Sequence, residues 1–481
     1  MTGAHVEIFA TVLSLKNGIA MAEYKDVVVV GNGPSGITMS FLLAGNWPYY
    51  TASSHPNTYL HARLDEKRDV SLVELDLEEL SCGLEGRSNN PVSLLLDALI
   101  HPDADLGSDE KPALSWSQEA SKALDHVVIG VGPPGGSWQR MDGSILTISL
   151  GSWMELPDLT FREWEQTKPR TTPCCGTNGH NRAPVQRVAQ YYRDYVSHKG
   201  LTPYFRSFSC VTSIRITDEK EGLWEVAGYD TETGVTFQYI THHVVLAVGQ
   251  YDEPKLLDVA GEDLSFVFHD LSHLEDLLRY PQVPIQRLAV VGSGLSAADA
   301  VIAARFHGVD VAHIFRKKVD DPALIFNQLP RNMYPEYHKV HQMMGAAENY
   351  PGYKAYSNCQ VKAIKEDGTV VLDSGVELKD ISHMLVLIGS YANLNFLSNQ
   401  GLDLGLCPGS LVDCRANPIE IHPFTHETLA YKGLYALGPL VGDNFVRFLQ
   451  GGALAVTSHV WRSYRARHKS CQGRSVCSLD C

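Results

Sequence analysis

The stretch DVVVVGNGPSGI, Asp26 to Ile37, limits the start of this chain to few folds. Val27–Val30 is a run of β-branched apolar residues, the pattern of a short strand buried on both faces. It runs straight into Gly31, Gly33 and Gly36, spaced as G-x-G-x-x-G, with Pro34 and Ser35 opening a helix. Such a turn aims backbone amides at a phosphate: the glycines allow a tight bend, a close approach and tight helix packing. The same fingerprint wants an acid about 20 residues on, to hold ribose hydroxyls. Instead the chain enters a segment, about 47–121, rich in Asp, Glu, Leu and turn residues, with an apolar helix beginning at Pro91. We read this segment as a helical insertion that moves the second strand to Asp125–Val131. That strand ends Ile129-Gly130-Val131, and the acid is still missing.

A second fingerprint is cleaner. The strand Leu288–Val291 leads into Gly292, Ser293 and Gly294, with Leu295, Ser296 and Ala297 opening a helix. Alanine at the third position still lets helix and strand pack closely. The following strand ends in Arg316 and Lys317, where a carboxylate would mark NADH. A guanidinium fork and an ammonium suit the 2′-phosphate of NADPH. Strands alternating with helices across 481 residues give an α/β fold.

Composition narrows the function classes. A net charge of −15 leaves no excess of cations to neutralise phosphates, so no nucleic-acid partner is expected. No run approaches the roughly 18 apolar residues of a transmembrane segment. The acidic start lacks the marks of a signal peptide, and a cytoplasmic location is expected. The 10 cysteines include no C-x-x-C pair and no zinc spacing, so no metal site is expected.

Further glycine turns lie at Gly135, Gly136 and Trp138 (PGGSW) and at Gly438 to Asn444 (GPLVGDN), and strands end at Gly249 and Gly389. Taken with the two fingerprints, these strings resemble two-dinucleotide-binding flavoproteins of the flavin-containing monooxygenase and N-hydroxylase branch. DLEELSCGLEGRSNNPVSLLLDAL, PGGSW and GPLVGDNFVRFLQGGALAV are similar, more narrowly, to the oxidative stress-induced growth inhibitor family. The resemblance implies two Rossmann-like domains, the NADPH domain inserted in the FAD domain. It gives a leader to residue 23, FAD-binding parts at 24–280 and 381–465, NADPH binding at 281–380 and a tail at 466–481. It implies that Gly31, Gly33, Pro34, Ser35 and Gly36 line the FAD phosphates, and that Gly135, Gly136 and Trp138 lie beside the flavin. Gly438, Asp443, Asn444, Gln450 and Gly451 would complete the flavin side; Gly292 to Ser296 would hold NADPH; Gly249 and Gly389 would mark the crossings between domains.

The implied reaction passes a hydride from NADPH to flavin. Dioxygen then supplies an oxygen atom to a nitrogen or sulfur nucleophile, or leaves as peroxide. The substrate, a small molecule or a protein, is not named by these residues. Asn327, in FNQLPRNMYPEYHKV, resembles a position that faces nicotinamide or substrate, with loop bridging as the alternative. His269 ends a degenerate F-x-G-x-x-x-H signature, with Asp263 and Ser265 where Phe and Gly belong. The missing acid and altered signature keep a second expectation open, a non-enzymatic regulator retaining the nucleotide-binding fold.

Overall fold

The structure is a computed structural model. It describes residues 22–474 apart from 109, 142, 144, 169–180, 272–273, 280–284 and 347–348. The chain divides into two compact units, one of Met1–Gln139, Leu146–Gln250 and Ala392–Cys481, the other of Arg140–Ile145 and Tyr251–Tyr391. The leader to residue 21 and most of the loop from Lys168 to Pro184 lie outside the described residues.

The first unit is built on a parallel sheet ordered Leu434–Ala436, His243–Leu246, Val27–Val30, His126–Ile129, Phe205–Arg206. Val27–Val30 are all buried because both faces of this sheet are covered, which explains a strand without polar alternation. The helix Pro34–Leu43 follows at once, buried along its whole length. A second sheet of Glu23–Tyr24, Thr236–Thr241, Leu223–Asp230 and Ser209–Asp218 packs its apolar side chains onto the first.

The insertion differs in part from the sequence expectation. Its helix does begin at Pro91 and runs to Ile100, but the segment opens and closes on a two-stranded antiparallel ribbon, Asn46–Tyr50 against Leu114–Gln118. Trp47 of that ribbon meets Trp461 edge-on at 5.1 Å, a pairing worth about 0.5–1.5 kcal/mol beyond area burial. Trp461 belongs to a helix running Val446–Arg474, past the residue where the sequence suggested a tail.

The second unit repeats the plan. Its parallel sheet is ordered Val267–Phe268, His383–Val386, Arg287–Val291, Asp310–Phe315, Tyr353–Ser357. The helix Leu295–Phe306 follows the central strand. Among the described residues no helix is long and apolar enough to cross a membrane.

Candidate functional site

Each fingerprint turn sits where a central strand gives way to a helix. In the first unit Gly31 has φ +111°, and a Cβ there would stand 2.3 Å from the carbonyl oxygen of Ala247 on the next strand. A Cβ on Gly36 would stand 1.9 Å from the Gly31 carbonyl oxygen. Both glycines are therefore demanded by the protein's own packing. Gly33 is different: no protein atom lies within 4 Å of the place its Cβ would take. Gly33 also caps the helix Pro34–Leu43, and no side chain answers the first-turn amides. An uncapped helix start beside an open glycine fits a pyrophosphate.

The neighbouring turns close around it. Gly135 N–H donates to the Asn32 carbonyl at 2.9 Å, and a Cβ on Gly136 would come 3.0 Å from Gly33 Cα. Trp138 stands edge-on to Tyr192, with 5.9 Å between ring centroids. A Cβ on Gly438 would approach Ser35 Oγ at 2.6 Å, so the PSG and GPLVGD turns meet directly. Asn444 Nδ2 donates to the Gly442 carbonyl at 3.1 Å.

Two residues expected on the flavin side have other work here. Asp443 is buried, and its carboxylate accepts from Ser88 Oγ (2.6 Å), Asn90 Nδ2 (2.8 Å) and Ser93 Oγ (2.8 Å), all from the insertion. Burial pushes its pKa up to about 6, against the pull of those three donors. Gly451 is fixed by packing, since a Cβ there would lie 2.4 Å from Ser93 Cα. Both tie the last helix to the insertion, and neither needs a ligand to explain it. Gln450 Nε2 donates to the Glu155 carbonyl at 2.9 Å, while its Oε1 is buried without a partner. Burial raises the Glu155 carboxyl to about 8.

The second turn has the same frame. Gly292 has φ +134°, and its Cβ would meet the Leu387 carbonyl oxygen at 2.3 Å; Gly294 again has nothing within 4 Å. Gly294 caps the helix Leu295–Phe306 with no side-chain hydrogen bond, leaving Ser293 half-buried and Ser296 exposed at the mouth. The third position is Ala297, fully buried with its methyl accommodated. His313 is buried and reaches the Gly292 carbonyl through Nε2 at 2.8 Å; burial holds its pKa down to about 4.

Arg316, Lys317, Lys318, Asp320, Asp321, Pro322 and Asn358 line an open cleft of about 430 Å³. Among the described residues Arg316 has no hydrogen-bond or ion-pair partner, whereas Lys317 Nζ is drawn to the Ala323 carbonyl at 2.6 Å. Arg316 is thus the freer of the two expected phosphate ligands. Asn327 Nδ2 donates to the carbonyls of Asp321 (2.8 Å) and Val319 (3.3 Å), bracing the loop that lines the cleft. His269 Nε2 lies 3.0 Å from Glu262 Oε1. Burial opposes ionisation of Glu262, but the Leu257 amide, His269 and the Asp258 amide together hold its carboxyl below its ordinary range. Gly249 and Gly389 both adopt positive φ, +72° and +99°.

Residues 118–407 match the pyridine nucleotide-disulphide oxidoreductase family. The chain is also 44% identical over 464 residues to oxidative stress-induced growth inhibitor 1 of Mus musculus, covering 92% of this chain and 96% of that protein. The chain belongs to the oxidative stress-induced growth inhibitor family. Its fold resembles bacillithiol disulfide reductase from Bacillus cereus, at TM-score 0.57 and 16% identity over 92% of this chain and 100% of that one. It also resembles flavin-containing monooxygenase from Stenotrophomonas maltophilia, at TM-score 0.52 and 16% identity over 93% and 99%. The growth inhibitor family thus has the two-dinucleotide flavoprotein fold of pyridine-nucleotide oxidoreductases. One fold carrying disulfide reduction in one neighbour and monooxygenation in another leaves the reaction to be argued from the site.

In this member of the family the sequence hid two things. Nothing local to Ser88, Asn90 and Ser93 pairs them with Asp443. Asn32 stands between two fingerprint glycines, where the motif asks for no particular residue. Its signal was available in principle, as an amide side chain facing a strand that ends in glycine.

Proposed function

We propose that the protein is an FAD- and NADPH-dependent oxidoreductase of the monooxygenase type, acting in the cytoplasm in the control of growth or oxidative stress. The observation that carries this reading is the open space at Gly33 and Gly294, where no protein atom explains the glycine. The first turn, with the PGGSW and GPLVGD turns around it, would hold FAD. The second, with Arg316 and Lys317 in the adjoining cleft, would hold NADPH by its 2′-phosphate. FAD held there would supply the acceptor for a hydride from NADPH and the route of its electrons to dioxygen, with oxygen transfer to a nitrogen or sulfur nucleophile or free peroxide as the outcome.

The chain's own residues bind and orient. First-turn amides of both helices would meet the phosphates, and Trp138 and Ser35 would bound the flavin end of the first site. Thiol–disulfide exchange is not favoured, because it needs a cysteine pair. The sequence has no C-x-x-C or C-x-x-x-x-C, and among the described residues Cys82, Cys210, Cys359, Cys407 and Cys414 are free thiols.

A second reading, a nucleotide-binding regulator without turnover, draws support from the missing ribose acid. Absorbance of the purified protein at flavin wavelengths separates the two, and a colourless protein that takes up no added FAD ends the enzyme reading. For the reaction, NADPH consumed is compared with peroxide released. Full recovery as peroxide means an oxidase; a shortfall that depends on an added amine or sulfide means oxygen transfer.

A further inference from the structure

The two turns can be overlaid through their own strand registers. Val30 pairs with Ile129 in the first sheet, as Val291 pairs with Ile314 in the second. Gly130 then stands where Phe315 stands, Val131 where Arg316 stands, and Asn32 where Ser293 stands. In the second unit this arrangement is ordinary: a small serine in the turn, a buried phenylalanine, and an exposed arginine at the strand end. The first unit inverts it. Val131 offers an apolar side chain, 59% exposed, where an acid belongs. Gly130 has lost its side chain altogether.

The space left by Gly130 is occupied. A Cβ there would fall 2.1 Å from Cγ, 2.2 Å from Nδ2 and 2.5 Å from Oδ1 of Asn32. The carboxamide of Asn32 therefore lies over the end of the second strand, in the place the buried Phe315 side chain takes in the second unit and next to Val131, where an acid belongs. It is only 4% exposed, and its Nδ2 donates to the Gly132 carbonyl at 2.7 Å. That bond fixes which way the amide faces. Oδ1 accepts from no described residue, yet it is not among the buried atoms left without a partner. It is an acceptor left open beside the strand end that carries Val131, and a ribose hydroxyl is a donor.

We propose that Asn32 is the ribose-reading residue of the first turn: its side-chain oxygen accepts from an adenosine hydroxyl in place of the missing carboxylate. Gly130 is the companion change that gives the amide room. This rests on the reading that the first turn holds FAD. It adds a neutral, single-acceptor mode of recognition, which holds the ribose more weakly than a two-oxygen carboxylate.

The test uses the full-length protein freed of flavin. Binding is followed by quenching of flavin fluorescence, with FAD and with an FAD analogue lacking both adenosine ribose hydroxyls. Wild type should prefer FAD by up to about tenfold, the range of one neutral hydrogen bond. N32S, which copies the second turn, should bring that preference close to one. Because N32S could disturb the turn, V131E is made alongside; Val131 is exposed, so this variant leaves the core alone. In wild type V131E should add little, whereas in N32S it should restore preference for FAD by supplying the acid. Equal affinity of wild type for FAD and the analogue overturns the role of Asn32 and leaves FAD binding intact. So does N32S with its preference unchanged, or V131E improving wild type as much as N32S. Wild type that quenches neither compound overturns the FAD reading itself, and this inference with it.

Discussion

At the third position of its turn the first unit has Gly36, where a methyl would overlap the Gly31 carbonyl at 1.9 Å; the second has Ala297, buried with its methyl in place. At the strand end the second unit presents Arg316, unpartnered among the described residues in an open cleft, while the first presents Gly130 and Val131. The strand–glycine–helix junction is thus common to both, and what differs is how closely the helix approaches and which side chains stand at the strand end. Phosphate binding by backbone amides needs only glycines at set intervals. Selectivity depends on one or two side chains, and these are free to diverge.

The largest break in this comparison should come from Gly36→Ala. The methyl has no place to go against backbone, so we expect a loss of about 3 kcal/mol or more in urea unfolding. The converse change in the other unit, Ala297→Gly, should cost only about 1 kcal/mol. Equal costs would mean the two helices approach their strands equally.

Asp443 of the first unit and His313 of the second should also respond to acid with opposite sign. Asp443 has its pKa raised by burial to about 6, so the folded protein holds a proton that the unfolded chain has lost between roughly pH 4 and 6. Its contribution is present at low pH and lost as pH rises through that window. His313, buried and held down to about 4, does the reverse: its contribution is present above about pH 6.5 and is lost as pH falls towards 4. Against Asp443→Asn, wild type should lose roughly 1–3 kcal/mol of relative stability between pH 4 and pH 7. A constant difference between the two proteins across that range would refute the shift.

Arg316→Ala should raise KM for NADPH by about 10- to 100-fold and KM for NADH by much less. Lys317→Ala should do less, since its ammonium is already drawn to the Ala323 carbonyl. An equal effect on both nucleotides would remove the phosphate-binding role. Smallest in stability, and most telling, are Gly33→Ala and Gly294→Ala. Each should leave the unfolding midpoint nearly unchanged, because a methyl there touches no protein atom, yet each should weaken its own nucleotide by about tenfold. Unchanged FAD affinity in Gly33→Ala would count against a pyrophosphate at that turn.

The parts of the fold written in local pattern were legible in the sequence: both strand–glycine–helix junctions, the helix at Pro91, and the displacement of the second strand. Those signals come from sterics within a few residues. The ribbon Asn46–Tyr50 with Leu114–Gln118 was not legible, because NWPYY holds a proline and no alternation, and LSWSQ, which does alternate, has no pairing partner near it in sequence. Nor was the fate of Asp443, whose partners Ser88 and Ser93 are 355 and 350 positions away. A motif can say that an acid sits after a glycine turn, but not which way its carboxylate points. Asn32 was missed for a related reason, since its meaning depends on the absence of a side chain at Gly130.

The link from Asp443 back to the insertion has a consequence for biogenesis. The second unit, apart from Arg140–Ile145, is one continuous stretch, Tyr251–Tyr391, and the ribosome releases it before the GPLVGD turn and the helix Val446–Arg474 exist. Ser88, Asn90 and Ser93 of the first unit precede that stretch, yet they wait for a carboxylate translated after it. High sequence separation of contacts slows closure and prolongs exposure of apolar surface. Here that surface includes Val92, Leu95, Leu96 and Leu99 of the insertion helix, which share a core with Ala453 to Val456 of the last helix. The unit begun first is completed last, so a premature stop before Asp443 would leave a finished second unit attached to an uncovered first one.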